Sequence, residues 1–206
     1  MLEAALFAFV AFLVILDPPG TAAIFAAITA GASPADKRQQ AVRATVISFI
    51  VLVGFAVAGG FLLRALGIGL PALKVAGGLL LFLAAADMVM GSTLLRTGPA
   101  EKDAAARPDS DVSVFPLAIP LIAGPGAMTT IVLLAEQAAG DWLRLAAVVA
   151  AMTAALLLTL GAMLGAARLS RLLGERGGHV IGRVLGVVLA ALAAQIALDG
   201  IRESFA

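Results

Sequence analysis

Long runs of apolar residues constrain this chain more than any other feature of its sequence. A helix of about 20 apolar residues is long enough to cross the hydrocarbon core of a bilayer. Six such runs lie at residues 2–32, 42–63, 70–90, 114–135, 143–166 and 180–201. The chain is 62% hydrophobic and only 13% charged, so a water-soluble surface would be hard to cover. The sequence therefore predicts an all-α membrane protein with six transmembrane helices in one domain over residues 1–206.

Helix-breaking residues interrupt two of the six runs near their centres. The first break is at residues 17–20, and the second is at residues 124–126. Proline lacks a backbone N–H and disfavours helix in the residue before it. The prolines at the breaks are Pro18, Pro19 and Pro125. Helices 1 and 4 are therefore predicted to be broken, which in secondary transporters marks a binding site near the membrane midplane.

An internal repeat relates the two halves of the chain. Residues 74–91 can be laid without gaps on residues 183–200, which pairs Lys74 with Arg183 and aligns glycines at two further positions. We therefore divide the chain into a first repeat at 1–91, a loop at 92–113 and a second repeat at 114–206. Because each repeat holds three spans, an odd number, the repeats are expected to have opposite orientations in the membrane, as in many transporters.

The breaks also predict a solute site. We expect half-helices to start near Thr21 and Ala127 with unpaired N–H groups, which favour anions. Asp17 is the one carboxylate near the middle of a span, and an intramembrane carboxylate is a functional-site hypothesis by default. Together these groups suit a zwitterion. The predicted substrate-binding residues are Asp17, Gly20, Thr21, Gly124, Gly126, Thr129 and Thr130.

Ion coupling is assigned to two carboxylates, Asp17 and Asp87, with H⁺ or Na⁺ as the coupling ion. The sequence leaves open whether Asp17 only caps its own half-helix and whether Asp87 is only a solvated residue near a span end. Lys74 is expected to snorkel to the interface, and Gln195 is expected to make a hydrogen bond between helices. Residues 168–179 are predicted to form a short basic loop.

The same composition excludes several functions. The chain has no cysteine, no tyrosine and one histidine, which leaves no disulfide, no metal cluster and no catalytic constellation. We expect no enzyme activity, no cofactor, no metal and, with a formal net charge of +1, no nucleic-acid partner. The expected partners are the lipid bilayer, a small solute and H⁺ or Na⁺, with a homo-oligomer left open.

Positive charges indicate the orientation of the spans. Ten of the 14 Lys and Arg residues follow spans one, three and five: Lys37, Arg38, Arg43, Arg96, Lys102, Arg107, Arg168, Arg171, Arg176 and Arg183. Cytoplasmic loops carry the excess of Lys and Arg. These loops are therefore predicted to be cytoplasmic, with both termini outside a bacterial-type inner membrane.

Three motifs together resemble one family. They are Leu-Asp-Pro-Pro-Gly at 16–20, Gly-Gly at 77–78 and Phe-Pro-Leu-Ala-Ile-Pro-Leu-Ile-Ala-Gly-Pro-Gly at 115–126. They look like the MarC family of six-span inner-membrane proteins, and the resemblance covers nearly the whole chain. Ala23 departs from it, since the family pattern commonly has proline there. The resemblance implies a small neutral amino-acid transporter for glycine or alanine, or a protein associated with antibiotic resistance.

We therefore expect a secondary transporter of small neutral solutes, with glycine and alanine as first candidates. Alternating access would move one repeat against the other. Efflux of drugs or metabolites is an alternative within the same class, and a non-transporting scaffold or regulatory component is an alternative from another class.

Overall fold

All regular structure in the computed structural model is helical across the residues that the structure describes, which are 2–29, 31–90, 111–138 and 140–205. Within them lie α1 (Leu2–Leu16), α2 (Pro18–Ile28), α3 (Pro34–Ala65), α4 (Leu70–Met90), α5 (Pro125–Gln137), α6 (Trp142–Leu164) and α7 (Ala166–Ser204). An irregular segment, Ser113–Ile122, precedes α5 and contains two prolines; we call it the proline segment. The all-helical class predicted from the apolar runs is confirmed.

Side-chain caps fix the starts of two long helices. The Ser33 hydroxyl accepts the N–H of Asp36 at 3.2 Å, at the start of α3. The Asp141 carboxylate accepts the N–H groups of Leu143 and Arg144, both at 3.1 Å, at the start of α6. Each bond satisfies a donor that has no partner within the helix. The predicted cap at Ser33 is confirmed.

Three helical runs in the described part of the chain are long and apolar enough to cross a membrane: Glu3–Ile28, Pro34–Ala65 and Trp142–Leu164. A fourth is present if the proline segment and α5, which are bent by 56° at their junction, count as one span. α4 covers the third predicted span, and α7 includes the sixth. Six spans in two inverted repeats stay a prediction.

The predicted basic loop at residues 168–179 is wrong. The backbone of α7 is helical without interruption from Ala166 to Ser204, a length of about 58 Å at 1.5 Å per residue. No proline interrupts this run. The two glycines at 177–178 cost only about 1 kcal/mol each inside a helix. Most of the predicted dividing loop, at 92–110, lies outside the described residues.

The most extensive helix pair joins α4 to α7. A Cβ added at Gly78 would lie 2.7 Å from the carbonyl oxygen of Ala193, and one added at Gly200 would lie 2.7 Å from that of Pro71. The middle of α4, at Gly78, therefore meets α7 at Ala193, while the start of α4 meets the end of α7 at Gly200. The two helices are antiparallel, and their glycines let the backbones approach closely.

The two halves of the chain interlace. α1 and α2 pack against α6, while the proline segment and α5 pack against α3. α2 also contacts α7, and α5 contacts α4. Among the described residues, the helices of the first half make only marginal contacts with one another. The buried core is therefore built between the halves rather than within each half.

The outer surface carries large apolar side chains. Val57, Phe61 and Trp142 are each more than 70% exposed. The interior is formed by small and medium apolar residues, with a few buried polar residues among them. An apolar exterior of this kind faces lipid rather than water.

Candidate functional site

The first helix break is a single residue. Asp17 lies between α1 and α2 in the left-handed conformation, with φ 43° and ψ 70°. Hydrogen bonds continue through it, since the Asp17 N–H donates to the Leu13 carbonyl at 3.2 Å and the Thr21 N–H donates to the Asp17 carbonyl at 2.8 Å. α1 and α2 therefore form one helical run, Glu3–Ile28, with a break only at Asp17.

The Asp17 carboxylate caps α2. Asp17 is 3% exposed, and its Oδ1 accepts the Gly20 N–H at 3.1 Å. A Cβ at position 20 would lie 1.9 Å from Asp17 Oδ2, so glycine is the residue that leaves room for the carboxylate. The Thr21 hydroxyl donates to the Leu16 carbonyl at 2.7 Å. In a continuous helix this carbonyl would accept the Gly20 N–H, which here bonds the Asp17 side chain instead.

The prediction of unpaired N–H groups at the first break is therefore wrong. The helix begins at Pro18 rather than near Thr21, because proline suits the first helical turn. Pro18 and Pro19 have no N–H to offer, and the N–H groups of Gly20 and Thr21 are bound within the chain. This end of α2 has no donors left for an anion.

The prolines instead free acceptors. In a continuous helix, the N–H groups of residues 18 and 19 would bond the carbonyls of Val14 and Ile15. Proline removes both donors. The first break thus combines two carbonyl groups that lack their helical donors with a buried carboxylate, an arrangement that favours cations. Freed carbonyls that match an ammonium group are also expected from the sequence, and their residues follow from counting four positions back from each proline.

The second break has a different geometry. In the proline segment, Phe115 (φ −129°, ψ 128°) and Ile119 (φ −130°, ψ 123°) are extended, as expected for residues that precede proline. The chain is extended again at Gly124 (φ −79°, ψ 173°), and α5 begins at Pro125. The predicted start near Ala127 is therefore two residues too late.

The start of α5 has no side-chain cap. Its N-cap residue is Gly124, and no side chain bonds the first turn. The Met128 N–H donates to the Gly124 carbonyl at 3.0 Å, and Pro125 has no N–H. The N–H groups of Gly126 and Ala127 are the first-turn donors that by position have no helical carbonyl to bond. This break favours anions.

The two breaks meet. A Cβ added at Gly126 would lie 2.3 Å from Leu81 Cδ2 and 3.8 Å from Ile15 Cγ2. Ile15 is the residue whose carbonyl is freed by Pro19, and it packs next to the start of α5. The two breaks are therefore near each other, and the side chains of Leu81 and Ile15 fill the space next to Gly126.

Two predicted hydroxyl residues line α5 beyond this point. Thr129 packs on Gly77 of α4, where an added Cβ would lie 2.0 Å from Thr129 Cγ2. Thr130 is 5% exposed, and its hydroxyl has no hydrogen-bond partner. The side chain of Asp87 lies outside what the structure describes, so its predicted role in ion coupling stays a prediction.

Two other polar residues have specific partners. Lys74 on α4 forms an ion pair with Glu203 on α7, so it is held by the facing helix rather than only extending to the interface. Gln195 donates to Asp199 on its own helix at 2.8 Å, and the predicted bond between helices is wrong. An (i, i+4) pair is within easy reach on one helix face.

An ion pair fixes the chain before the proline segment. Arg43 on α3 contacts Asp111 at 2.8 Å. The Ser113 N–H donates to Asp111 Oδ1 at 3.0 Å, and Ser113 together with the charge of Arg43 holds the pKa of Asp111 below its usual value. The ion pair and the packing of the proline segment on α3 join the start of the second half to the first half.

An all-helical fold with an apolar exterior and interrupted helices defines an integral membrane protein. The chain belongs to the MarC family of integral membrane proteins, whose sequence profile matches residues 2–205. The resemblance seen in the three motifs is confirmed.

Relatives from distant organisms carry a similar description. A UPF0056 membrane protein of Archaeoglobus fulgidus is 37% identical over 69% of this chain and 66% of its own length. One from Aquifex aeolicus is 38% identical over 62% of this chain and 59% of its own. The UPF0056 membrane protein YvbG of Bacillus subtilis is 30% identical over 69% of this chain and 71% of its own. The chain thus spans about two thirds or less of the first two relatives. No solved structure matches it.

Proposed function

We propose that this chain is a secondary transporter that carries small neutral amino acids, such as glycine and alanine, across the membrane with no chemical step on the solute. One observation carries the proposal: the first break, with its freed carbonyls and buried carboxylate, lies near the uncapped start of α5, where the Ile15 side chain packs next to Gly126. A zwitterion has an ammonium group that matches free carbonyls and a carboxylate that matches a helix N-terminus.

The pattern of helix contacts supports an inverted repeat. A two-fold relation would exchange corresponding elements of the two halves. It would exchange α1 with the proline segment, α2 with α5, α3 with α6, and α4 with α7. The packing of α1 and α2 on α6 then becomes the packing of the proline segment and α5 on α3. The α4–α7 pair is exchanged with itself. Such a two-fold relation is the architecture on which alternating access is built in many transporters.

Asp17 is proposed to couple transport to H⁺ or Na⁺. It is a buried carboxylate at the break, next to the carbonyls freed by Pro18 and Pro19. Oxygen atoms of these kinds are the ligands of half-helix cation sites in transporters.

Flux in reconstituted vesicles tests the proposal. The purified protein in liposomes is expected to accumulate labelled alanine when an inward H⁺ or Na⁺ gradient is imposed. Asp17→Asn is expected to reduce gradient-driven uptake at least about ten-fold. Asparagine keeps an oxygen that accepts the Gly20 N–H and tolerates the left-handed conformation, so the loss would come from the missing charge.

Asp36→Asn serves as the matched control, because Asp36 is an exposed carboxylate in the first turn of α3. It is expected to leave uptake unchanged. If no gradient drives flux of any amino acid in a broad panel, amino-acid transport is rejected. Drug flux under the same gradients would then favour efflux, and absence of any flux would favour a scaffold role.

A further inference from the structure

The Leu81 side chain of α4 fills the space next to the second helix break. Leu81 is 1% exposed, and a Cβ added at Gly126, in the first turn of α5, would lie 2.3 Å from Leu81 Cδ2 and 3.1 Å from Leu81 Cγ. One further methyl group beside Gly126 would therefore fit only if Leu81 moved. The size of any group that comes to this point is limited by the Leu81 side chain.

The first break borders the same side chain. Leu81 belongs to a buried apolar cluster that includes Val14 of α1, and Ile15 packs against this cluster. Val14 and Ile15 are the residues whose carbonyls lose their helical donors at the first break. Ile15 Cγ2 lies 3.8 Å from the Cβ position at Gly126. Leu81 therefore lies beside residues of both breaks, on a helix that belongs to neither.

The neighbours of Leu81 on the same face of α4 are small. Residues four apart lie one above the other on a helix, so Gly77 and Ala85 lie one turn before and one turn after Leu81. Gly77 packs on Thr129, and Ala85 is fully buried. Leu81 is thus the large apolar side chain that this face of α4 brings to the breaks.

A solute bound between the breaks would place its side chain against this apolar wall. In the proposed transport function, the ammonium and carboxylate groups of an amino acid are matched to polar groups of the chain, which leaves its side chain for the wall. Small-molecule sites are mostly apolar, with a few polar groups that fix the orientation of the ligand. An apolar pocket discriminates by size, since one methylene group changes discrimination by about 10- to 200-fold.

We propose that Leu81 determines which amino acids the site accepts, leaving room for the hydrogen of glycine or the methyl group of alanine and excluding larger side chains. This inference rests on the proposed transport function and deepens it, because it assigns the preference for small solutes to one residue. It also has a specific consequence. Leu81→Ala removes an isopropyl group, the same group by which leucine exceeds alanine, so this variant is expected to accept leucine.

A series of amino acids of increasing size tests the assignment. Glycine, alanine, 2-aminobutyrate, valine and leucine are compared by their uptake into liposomes and by their effect on the Tm of the purified protein. The wild-type protein is expected to favour alanine over leucine at least about ten-fold, and Leu81→Ala is expected to lower this preference at least about ten-fold. An unchanged preference in Leu81→Ala, with alanine still transported, would overturn the proposal and leave the transport function in place.

Leu81→Val keeps the test decisive if Leu81→Ala does not fold. Valine is shorter than leucine by one methylene group, and 2-aminobutyrate is longer than alanine by one methylene group. Leu81→Val is therefore expected to accept 2-aminobutyrate at least about ten-fold better, relative to alanine, than the wild-type protein does. The same ratio in both proteins would contradict the proposal.

Met163→Ala and Leu79→Ala are the matched controls. Met163 is 2% exposed near the end of α6, so its truncation opens a buried cavity there, whereas Leu79 is 58% exposed on α4 itself. Both variants are expected to keep the wild-type preference. Leu81→Ala and Met163→Ala are both expected to have a lower Tm. Leucine is expected to raise the Tm of Leu81→Ala by at least about 2 °C and to leave that of Met163→Ala unchanged.

The two measurements separate this proposal from the transport function. If no amino acid is transported but leucine raises the Tm of Leu81→Ala and not that of Met163→Ala, transport is rejected and the size limit set by Leu81 stands. If leucine raises the Tm of both variants equally, it fills any apolar cavity, and the proposal is rejected. If there is neither flux nor a change in Tm, both are rejected.

Discussion

At the scale of single residues, Asp17 combines two roles that are usually separate. It supplies the left-handed turn between α1 and α2, and its side chain caps the helix that follows. Aspartate suits both, because its short side chain bonds nearby N–H groups and tolerates the left-handed conformation. A substitution at this position therefore alters the local backbone as well as the charge.

Asp17→Ala is expected to destabilise the protein by about 2–3 kcal/mol. About 1 kcal/mol comes from the lost cap, and about 1–2 kcal/mol comes from alanine in a left-handed conformation. Unfolding in detergent measures the change in free energy.

Asp141→Ala is the control for this change, since Asp141 caps α6 from an extended conformation, with φ −118°. It is expected to cost only the cap, about 1 kcal/mol. Equal losses for the two variants would contradict the contribution from the left-handed turn.

The residues of the breaks could be located from the sequence, but their hydrogen bonds could not. Pro18, Pro19 and Pro125 interrupt the helices where the sequence predicts. The expected free donors at Gly20 and Thr21 are bound, because the Asp17 side chain accepts the Gly20 N–H and the Asp17 carbonyl accepts the Thr21 N–H. That outcome depends on one rotamer and one backbone conformation, which periodicity does not specify.

At the scale of helices, close packing depends on glycines that face side chains of a neighbouring helix. Gly59 faces Val132, Gly60 faces Glu136 and Gly77 faces Thr129, so that α5 is packed against both α3 and α4. The Arg64–Glu136 ion pair lies at the same α3–α5 contact. These contacts hold the middle and the end of α5 in place from two sides.

Gly77→Ala is expected to destabilise the protein by about 1–3 kcal/mol, as for other overpacked interfaces. Its Cβ would lie 2.0 Å from Thr129 Cγ2 and 2.8 Å from Thr129 Cβ. Thermal unfolding of the purified protein measures the effect.

Gly54→Ala is the paired variant for Gly77→Ala, since a Cβ at Gly54 meets nothing within 4 Å. It is expected to stabilise α3 by up to about 1 kcal/mol, the difference in helix propensity. A loss of stability at Gly54 as large as that at Gly77 would mean that the close contact of Gly77 with Thr129 is not the cause of the destabilisation.

Helix positions follow from the sequence better than helix contacts do. Ser33 and the apolar run at 70–90 predict the start of α3 and the extent of α4. The prediction of a loop at 168–179 is wrong because charged residues and two glycines do not end a helix that contains no proline. The antiparallel contact of Gly78 with Ala193 is non-local, and no pattern within either helix specifies it.

At the scale of the whole molecule, the contacts bear on which bodies would move in the proposed transport, and these bodies differ from the sequence halves. α1 and α2 rest on α6, and the proline segment and α5 rest on α3. Movement of one repeat against the other would break both interfaces. Alternating access between these two interlaced groups, with α4 and α7 as the antiparallel pair beside them, would keep both.

Cross-links between engineered cysteines distinguish the two kinds of motion, because the chain has no cysteine of its own. The ion pairs Arg64–Glu136 and Lys74–Glu203 each join the first half to the second. Paired cysteines at either ion pair, joined by a short bis-maleimide, are expected to leave at least about half of the alanine uptake.

Cysteines at Asp141 and Arg144, joined in the same way within α6, control for the reagent. If the sequence halves moved as bodies, both cross-links between halves would stop uptake while the control remained active. That result would reject the interlaced groups.

The marginal contacts among the helices of the first half also bear on how the protein is made. At about 5–20 residues per second, synthesis from the end of α2 to the end of α6 takes on the order of ten seconds. Throughout that interval α1 and α2 are in the membrane without the helix that they pack against. The buried carboxylate of Asp17 must then be sheltered by lipid headgroups, by water or by the insertion machinery. The stability of the first half during biogenesis is thus set by residues that have not yet been translated.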